Sequence, residues 1–206
     1  MRPAAADRVF GEAVGLAERY VALLATSGTE RGLIGPRETD RLWERHVLNC
    51  AVVEELVPTG AVVVDVGSGA GLPGIPLALA RPDVRVELVE PLLRRTTWLE
   101  EVVTELGLGD RVEVTRGKAA VVGPRRADVV TSRAVASLDK LLVMSRRLAR
   151  PGGLLLALKG ASAEAEVSAV PRSARAGWEA DITVARCGGG VVAEETTVVV
   201  ARRVGG

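Results

Sequence analysis

The chain has 206 residues, of which 48% are hydrophobic and 26% charged. That length supports one substantial core and is short for two, so a single globular domain with a terminal extension is expected. A net charge of +1 argues against holding bare nucleic acid by charge alone, and no apolar run approaches the roughly 18 to 20 residues of a membrane span.

Apolar side chains at Val9, Val14, Leu16, Val21, Leu23 and Leu24 predict a helix over residues 4–25, ending before Ser27-Gly28. Beyond the link RGLIGPRE, Leu42, His46, Cys50, Val53 and Val57 recur at helical spacing from about Thr39 until Pro58. Residues 1–57 are therefore expected as an N-terminal helical extension, and 58–206 as one compact domain. From Ala61 onward strands alternate with helices: AVVVDV, then the helix PLALA; VRVELVE, then the helix LLRRTTWLEEVVTELGL; RVEVTR; ADVVTSRAV, then the helix LDKLLVMSRRLA; and LLLALKG. This alternation predicts a mostly parallel sheet covered on both faces. Residues 117–124 are too short for a helix, and Pro151-Gly152-Gly153 is expected to stop the helix before it. After a weak helix, AEAEVSAV, the strands DITVARC and ETTVVVARRV are joined by a short Gly-rich turn and must be antiparallel, because a parallel pair needs a crossover of about a dozen residues.

The stretch VVDVGSGAGLPGIPLALA places glycines at 67, 69, 71 and 74 where a strand meets a helix. Gly69 to Gly74 matches G-x-G-x-x-G, the dinucleotide pattern. A pyrophosphate in that fold rests on free N–H groups of the helix N-terminus, and here Pro73 and Pro76 have removed two of those donors. A ligand that needs close backbone approach without a phosphate fits better, and S-adenosylmethionine (SAM) is one. Asp65 could meet its cationic end, and Glu90, at the end of the second strand, is placed to accept the ribose hydroxyls. The predicted C-terminal hairpin favours the same choice. A Rossmann-like, class I SAM-dependent methyltransferase sheet ends with an antiparallel strand, whereas a dinucleotide domain repeats its parallel unit. The expected fold is thus α/β, a mostly parallel seven-stranded sheet with an antiparallel C-terminal hairpin and an N-terminal helical extension.

DVGSGAGLPGIPLAL resembles the signature of the 16S rRNA guanine-N7 methyltransferase family known as RsmG or GidB. ERHVLNCAVV, TSRAVASLDKLL and LLLALKG stand in the matching order, so the likeness runs from about residue 30 to 160. It implies SAM-dependent methylation of a guanine in a loop of small-subunit rRNA near the decoding region. The cofactor contacts it implies are Gly67 and Leu72, with Gly69 and Gly71 in the same loop, the backbone around Ala119-Ala120, and Arg133. Two departures stand out: Lys118-Ala119-Ala120 replaces an R-A-E that would bring a carboxylate to the adenine, and Asn49 stands where an aspartate is frequent.

Guanine N7 carries a free lone pair and no proton, so its methylation needs no general base. The chain has neither N-P-P-Y nor D-P-P-Y after the fourth strand, and neither cysteine sits where a carbon-directed enzyme would attack. Catalysis then rests on alignment. Arg133, just past the fourth strand, is the expected positioning residue, with His46 a further catalytic candidate from the family stretch. Arg45, Arg94, Arg95 and Lys159 are candidate RNA contacts, and paired arginines recur at Arg125-Arg126, Arg146-Arg147 and Arg202-Arg203. Trp43, Trp98 and Trp178 could stack on bases, although Trp98 reads as core. Cys50 and Cys187 fit no metal or redox spacing, and with one histidine no metal site is expected.

Charges in MRPAAADRVFGEA, where a signal peptide would be apolar, point to a cytoplasmic protein. The expected partner is 16S rRNA or the 30S subunit, met by a monomer with no membrane association. Two alternatives remain: a SAM-dependent methyltransferase acting on a small molecule, and a noncatalytic RNA-binding module.

Overall fold

Runs of Val, Leu and Thr build the sheet of the computed structural model, which describes residues 1–121 and 126–205. The strands are β1 (Val62–Val66), β2 (Arg85–Glu90), β3 (Val112–Arg116), β4 (Ala127–Arg133), β5 (Ala149–Lys159), β6 (Thr183–Cys187) and β7 (Thr196–Arg202). Their spatial order is β3-β2-β1-β4-β5-β7-β6. The pairs β1–β2, β1–β4, β2–β3 and β4–β5 are parallel, while β7 lies antiparallel between β5 and β6. The expected seven-stranded sheet and its antiparallel hairpin are both present.

Adjacent residues of one strand serve opposite cores, as the period of two requires. Val63, Val129, Leu156 and Val198 enter one core, and Val64, Val130, Leu155 and Val199 the other. The helices are α1 (Ala5–Phe10), α2 (Val14–Leu23), α3 (Asn49–Ala51), α4 (Gly74–Ala80), α5 (Leu93–Glu105), α6 (Leu138–Ser145), α7 (Ala163–Ala169) and α8 (Arg172–Arg175). Phe10, Tyr20, Leu48, Ile75 and Trp98 bring α1, α2, the segment around α3, α4 and α5 onto the first core; Leu138, Leu142, Ala163 and Ala174 bring α6, α7 and α8 onto the second.

Three local expectations are corrected. The first helix breaks at the tight turn Gly11–Ala13 and runs past Ser27-Gly28 through a widened π turn, Leu24–Gly28. The hydroxyls of Thr26, Ser27 and Thr29 donate to the carbonyls of Ala22, Leu23 and Leu24, which prolongs the turn where a helix end was expected. The second helix is a composite of a tight turn (Pro36–Arg41), a widened one (Leu42–Leu48), α3 and another tight turn (Val52–Leu56).

Pro151-Gly152-Gly153 does not stop a helix. α6 has already ended at Ser145, and β5 starts at Ala149, two residues before the proline. Ala149 pairs with Ala127 and Leu154 with Val129, so the residues between bulge out of register with β4. A Cβ on Gly153 would lie 2.9 Å from the Ala127 carbonyl oxygen, and this close approach is what the glycine permits.

Trp178 is buried with its indole N–H donating to the Leu142 carbonyl at 3.0 Å, Trp98 is core, and Trp43 packs on Phe10 at a ring separation of 6.4 Å. Trp98 and Trp178 therefore have no free face for a base. Cys50 and Cys187 are free buried thiols. Among the described residues no cluster could hold a metal ion, and no helix is long and apolar enough to cross a membrane. Arg125 and the end of the 117–124 stretch lie outside the described residues.

Candidate active site

β1 delivers the chain to the glycine loop at the carboxyl edge of the sheet, where open α/β sheets bind ligands. Gly67 takes φ +71°, and a Cβ there would fall 2.5 Å from Val135 Cγ2 in the loop after β4. Gly74 meets a different demand: its Cβ would lie 2.4 Å from Leu88 Cδ2 and 2.8 Å from Asp65 Oδ2, so the bare position lets α4 press onto β1 and β2. The loop bounds a cavity of about 540 Å³ lined by Gly67, Ser68, Gly69, Ala70, Leu72 and Glu90, together with Leu33, Ile34, His46, Arg95, Arg133 and Val135. This is a size suited to a small organic ligand.

Glu90 is almost wholly buried at the wall of that cavity and accepts hydrogen bonds from the backbone N–H of Gly69 and Leu92, each at 3.0 Å. It therefore shapes the loop as well as facing the ligand space. Asp65 is fully buried beneath the loop, accepts from Gly74 N at 3.1 Å through Oδ2, and is not among the lining residues. Its Oδ1 has no hydrogen-bond partner. Burial pushes the Asp65 carboxyl up to about 7, against the lowering influence of the Ser68 hydroxyl and the Gly74 N–H. An orphaned acceptor below a loop of close-approach glycines is consistent with a cationic ligand group above it.

Arg133, at the end of β4, also lines this cavity. Its guanidinium donates to His46 Nδ1 at 2.9 Å, to the Arg45 carbonyl at 3.1 Å and to Cys50 Sγ at 3.2 Å. The next residue, Ala134, has φ +55°, a conformation uncommon outside glycine. Arg133 and Ala134 also line a second cavity, of about 550 Å³, with Arg41, Glu44, Arg45, Leu48, Asn49, Lys159 and Glu194. One arginine thus stands in the wall common to two compartments: the first walled by the glycine loop, the second rich in basic side chains.

His46 faces the first cavity and Arg45 the second. Burial and the neighbouring Arg133 push the His46 imidazole below the ordinary histidine value. Burial raises the Cys50 thiol, which removes it as a nucleophile near neutral pH. Lys159 lines the second cavity, but its ammonium is held by Glu166 at 2.7 Å and the Ala136 carbonyl at 2.9 Å. Arg95 lies in the first cavity, 3.7 Å from Glu90, while Arg94 is exposed on α5. Gly71 belongs to the loop without lining its cavity, and neither do Ala119 and Ala120 line it.

Sequence reasoning missed Tyr20 and Glu38. Tyr20 is fully buried and donates its hydroxyl proton to the Ala70 carbonyl at 2.7 Å, tying α2 to the glycine loop. The chain's only tyrosine, set in an apolar helix, was the available signal. Glu38 approaches His46 Nε2 at 2.9 Å, and its place in the link RGLIGPRE gave no sign of it.

The family model for rRNA small subunit methyltransferase G (GidB) matches residues 14–193. The chain belongs to this family. A ribosomal RNA small subunit methyltransferase G of Mycobacterium sp. (strain KMS) is 56% identical over 205 residues, covering 98% of this chain and 90% of that one. The methyltransferase G of a Nocardioides species is 61% identical over 178 residues, covering 85% and 71%. Similar solved structures include Pyrococcus horikoshii TYW2 in complex with MeSAdo, with TM-score 0.59, 15% identity, and 78% of this chain and 63% of that one covered. A predicted O-methyltransferase from Agrobacterium tumefaciens aligns with TM-score 0.56 at 17% identity over 75% and 80%. At these identities the structural likeness is one of fold, which is the class I SAM-dependent methyltransferase fold. The matched span includes the glycine loop at 67–74.

Proposed function

We propose that the protein transfers a methyl group from SAM to N7 of a guanine in 16S rRNA. The observation that carries this reading is Arg133 in the wall between a cavity bounded by the glycine loop and Glu90 and one lined by Arg41, Arg45 and Lys159. The first would hold the cofactor, the second the acceptor base and its backbone. When bound, SAM supplies an electrophilic methyl group on a sulfonium.

The loop backbone at Gly67, Gly69 and Leu72 would hold the cofactor, and Glu90 would accept from its ribose. Asp65 keeps the loop in shape from below; Gly71 admits the tight turn; the backbone at Ala119-Ala120 is the proposed adenine contact. Arg133 orients the acceptor by donating to O6 or to a phosphate, leaving N7 open. The two groups nearest to it are unsuited to remove a proton: His46 has both ring nitrogens engaged, and Cys50 is a buried thiol. N7 requires no such removal, so alignment of the reacting atoms is the chain's contribution. Arg45 and Arg94, exposed and basic, contact RNA phosphates, while Arg95 and Lys159 complete the walls of the two compartments.

Residues 1–57 work as part of the catalytic unit with 58–206: His46 lines the first cavity, Arg45 lines the second, and Tyr20 ties α2 to the glycine loop. The proposed protein is a cytoplasmic monomer.

The test is transfer of labelled methyl from SAM to 30S subunits or 16S rRNA lacking the modification, followed by nucleoside analysis. Label in 7-methylguanosine at one site is expected. SAM binding without transfer to either substrate would overturn the reading in favour of a small-molecule acceptor.

A further inference from the structure

We propose that Glu38 is a positioning residue for methyl transfer: it fixes His46 as the neutral Nε2–H tautomer, whose Nδ1 lone pair holds Arg133 in the wall between the two cavities. The role rests on reading those cavities as cofactor and acceptor compartments.

The chemistry of three side chains dictates the chain of bonds. A guanidinium has five N–H donors, no acceptor, and stays protonated in proteins. The contact of Arg133 with His46 Nδ1 at 2.9 Å can therefore be a hydrogen bond only if Nδ1 accepts. The ring proton must then sit on Nε2, which lies 2.9 Å from Glu38 Oε2, and an ionised carboxylate only accepts. Each end of the imidazole is matched to one partner, and a ring flip would break both bonds. A proton added to Nδ1 would set an N–H against the guanidinium.

The charges that face the ring come from three places. Glu38 approaches from the Pro36–Arg41 turn, Arg133 from β4, and Arg45 from the ring's own segment. Burial foremost, then Arg133 and more weakly Arg45, disfavour imidazolium, while Glu38 favours it, and the balance lies with the neutral ring. The bond to His46 in turn lowers the Glu38 carboxyl. Glu38 also takes Arg45 Nη1 at 3.4 Å, so one carboxylate steadies both residues that abut Arg133.

The chain contains one histidine, so its imidazole nitrogens give unambiguous NMR signals. In the wild-type protein at pH 7 the ring should be neutral, protonated at Nε2 alone, with that proton protected from exchange; E38A should lose the protection. A ring found cationic, or protonated at Nδ1, overturns the proposal whatever the enzyme methylates.

Kinetics supply the second arm. E38A should lower kcat roughly 10- to 100-fold, the scale of a small misplacement, with KM for SAM within about twofold. E38Q, whose amide oxygen can accept the same Nε2–H, should lose less. Removing the carboxylate charge should also move the acidic limb of kcat in E38Q to lower pH, because imidazolium loses its one favourable neighbour. Wild-type turnover and an unmoved acidic limb in E38A would overturn the proposal. A wild-type protein that transfers no methyl to rRNA would instead overturn the underlying reading, and the NMR result would still decide the geometry.

Discussion

The hydroxyl of Tyr20 reaches across 50 residues of sequence to the carbonyl of Ala70 in the glycine loop, at 2.7 Å and away from solvent. Y20F removes the donor and strands a buried carbonyl, at a cost of about 1–3 kcal/mol. Chemical denaturation should register that loss, and calorimetry should find SAM bound several-fold more weakly. An unchanged SAM affinity with a lowered stability would make the bond purely structural.

Asp65 gives the stability a pH dependence of definite sign. Its carboxyl titrates near 7 in the folded chain against an ordinary 3.8. The folded state therefore holds the proton through the interval in which the unfolded chain releases it, and stability from this group falls as pH rises from about 4 to 7. D65N carries no such charge. Between pH 5 and pH 8, denaturant titration should find the balance moving by a few kcal/mol in favour of the asparagine variant. Parallel pH curves for the two proteins would refute this.

Gly67 and Gly60 separate backbone strain from site geometry. Both have positive φ, +71° and +67°, but a Cβ at Gly60 meets nothing within 4 Å while one at Gly67 strikes Val135. Alanine at either position should cost on the order of 1–2 kcal/mol of stability. Only G67A should also lose SAM affinity, by about tenfold or more. Equal affinities in the two variants would mean that the Gly67–Val135 approach does not shape the cofactor cavity.

Arg41 and Arg45 are exposed at the second cavity, whereas Lys159 is only 11% exposed and paired with Glu166. Alanine at Arg41 or Arg45 should weaken rRNA binding and reduce the salt dependence of log K by about 1 per lost phosphate contact. SAM affinity should not move. K159A should lower thermal stability and leave the salt slope intact, because its ammonium is already spent on the protein. A reduced slope for K159A would return Lys159 to the RNA contacts.

The features that the sequence revealed are local. The seven strands follow from apolar runs bounded by glycine and proline, and the loop at 67–74 from glycines crowded at a strand end. Nothing local could reveal that the residue meeting Arg133 Nη2 is His46, 87 positions earlier, or that Glu38 stands behind it. That Lys159, a candidate RNA contact, pairs with Glu166 on α7 is likewise a tertiary fact that linear spacing does not carry. Pro151-Gly152-Gly153 misled for a different reason. The same residues that stop helices also make bulges, and pairing with β4 and β7 selects the bulge.

The placement of β7 has a consequence for how the molecule is made. β6 pairs with β7 alone among the strands, yet β7 follows it in the chain and must enter the gap beside β5 in the opposite direction. During vectorial synthesis β6 emerges before β7, the strand it pairs with. The turn between the two strands carries Val192, Ala193 and Glu194, which wall the second cavity. The compartment assigned to the acceptor base is thus finished only when the last strand docks, so a nascent chain could shape its cofactor loop well before it could close around a substrate.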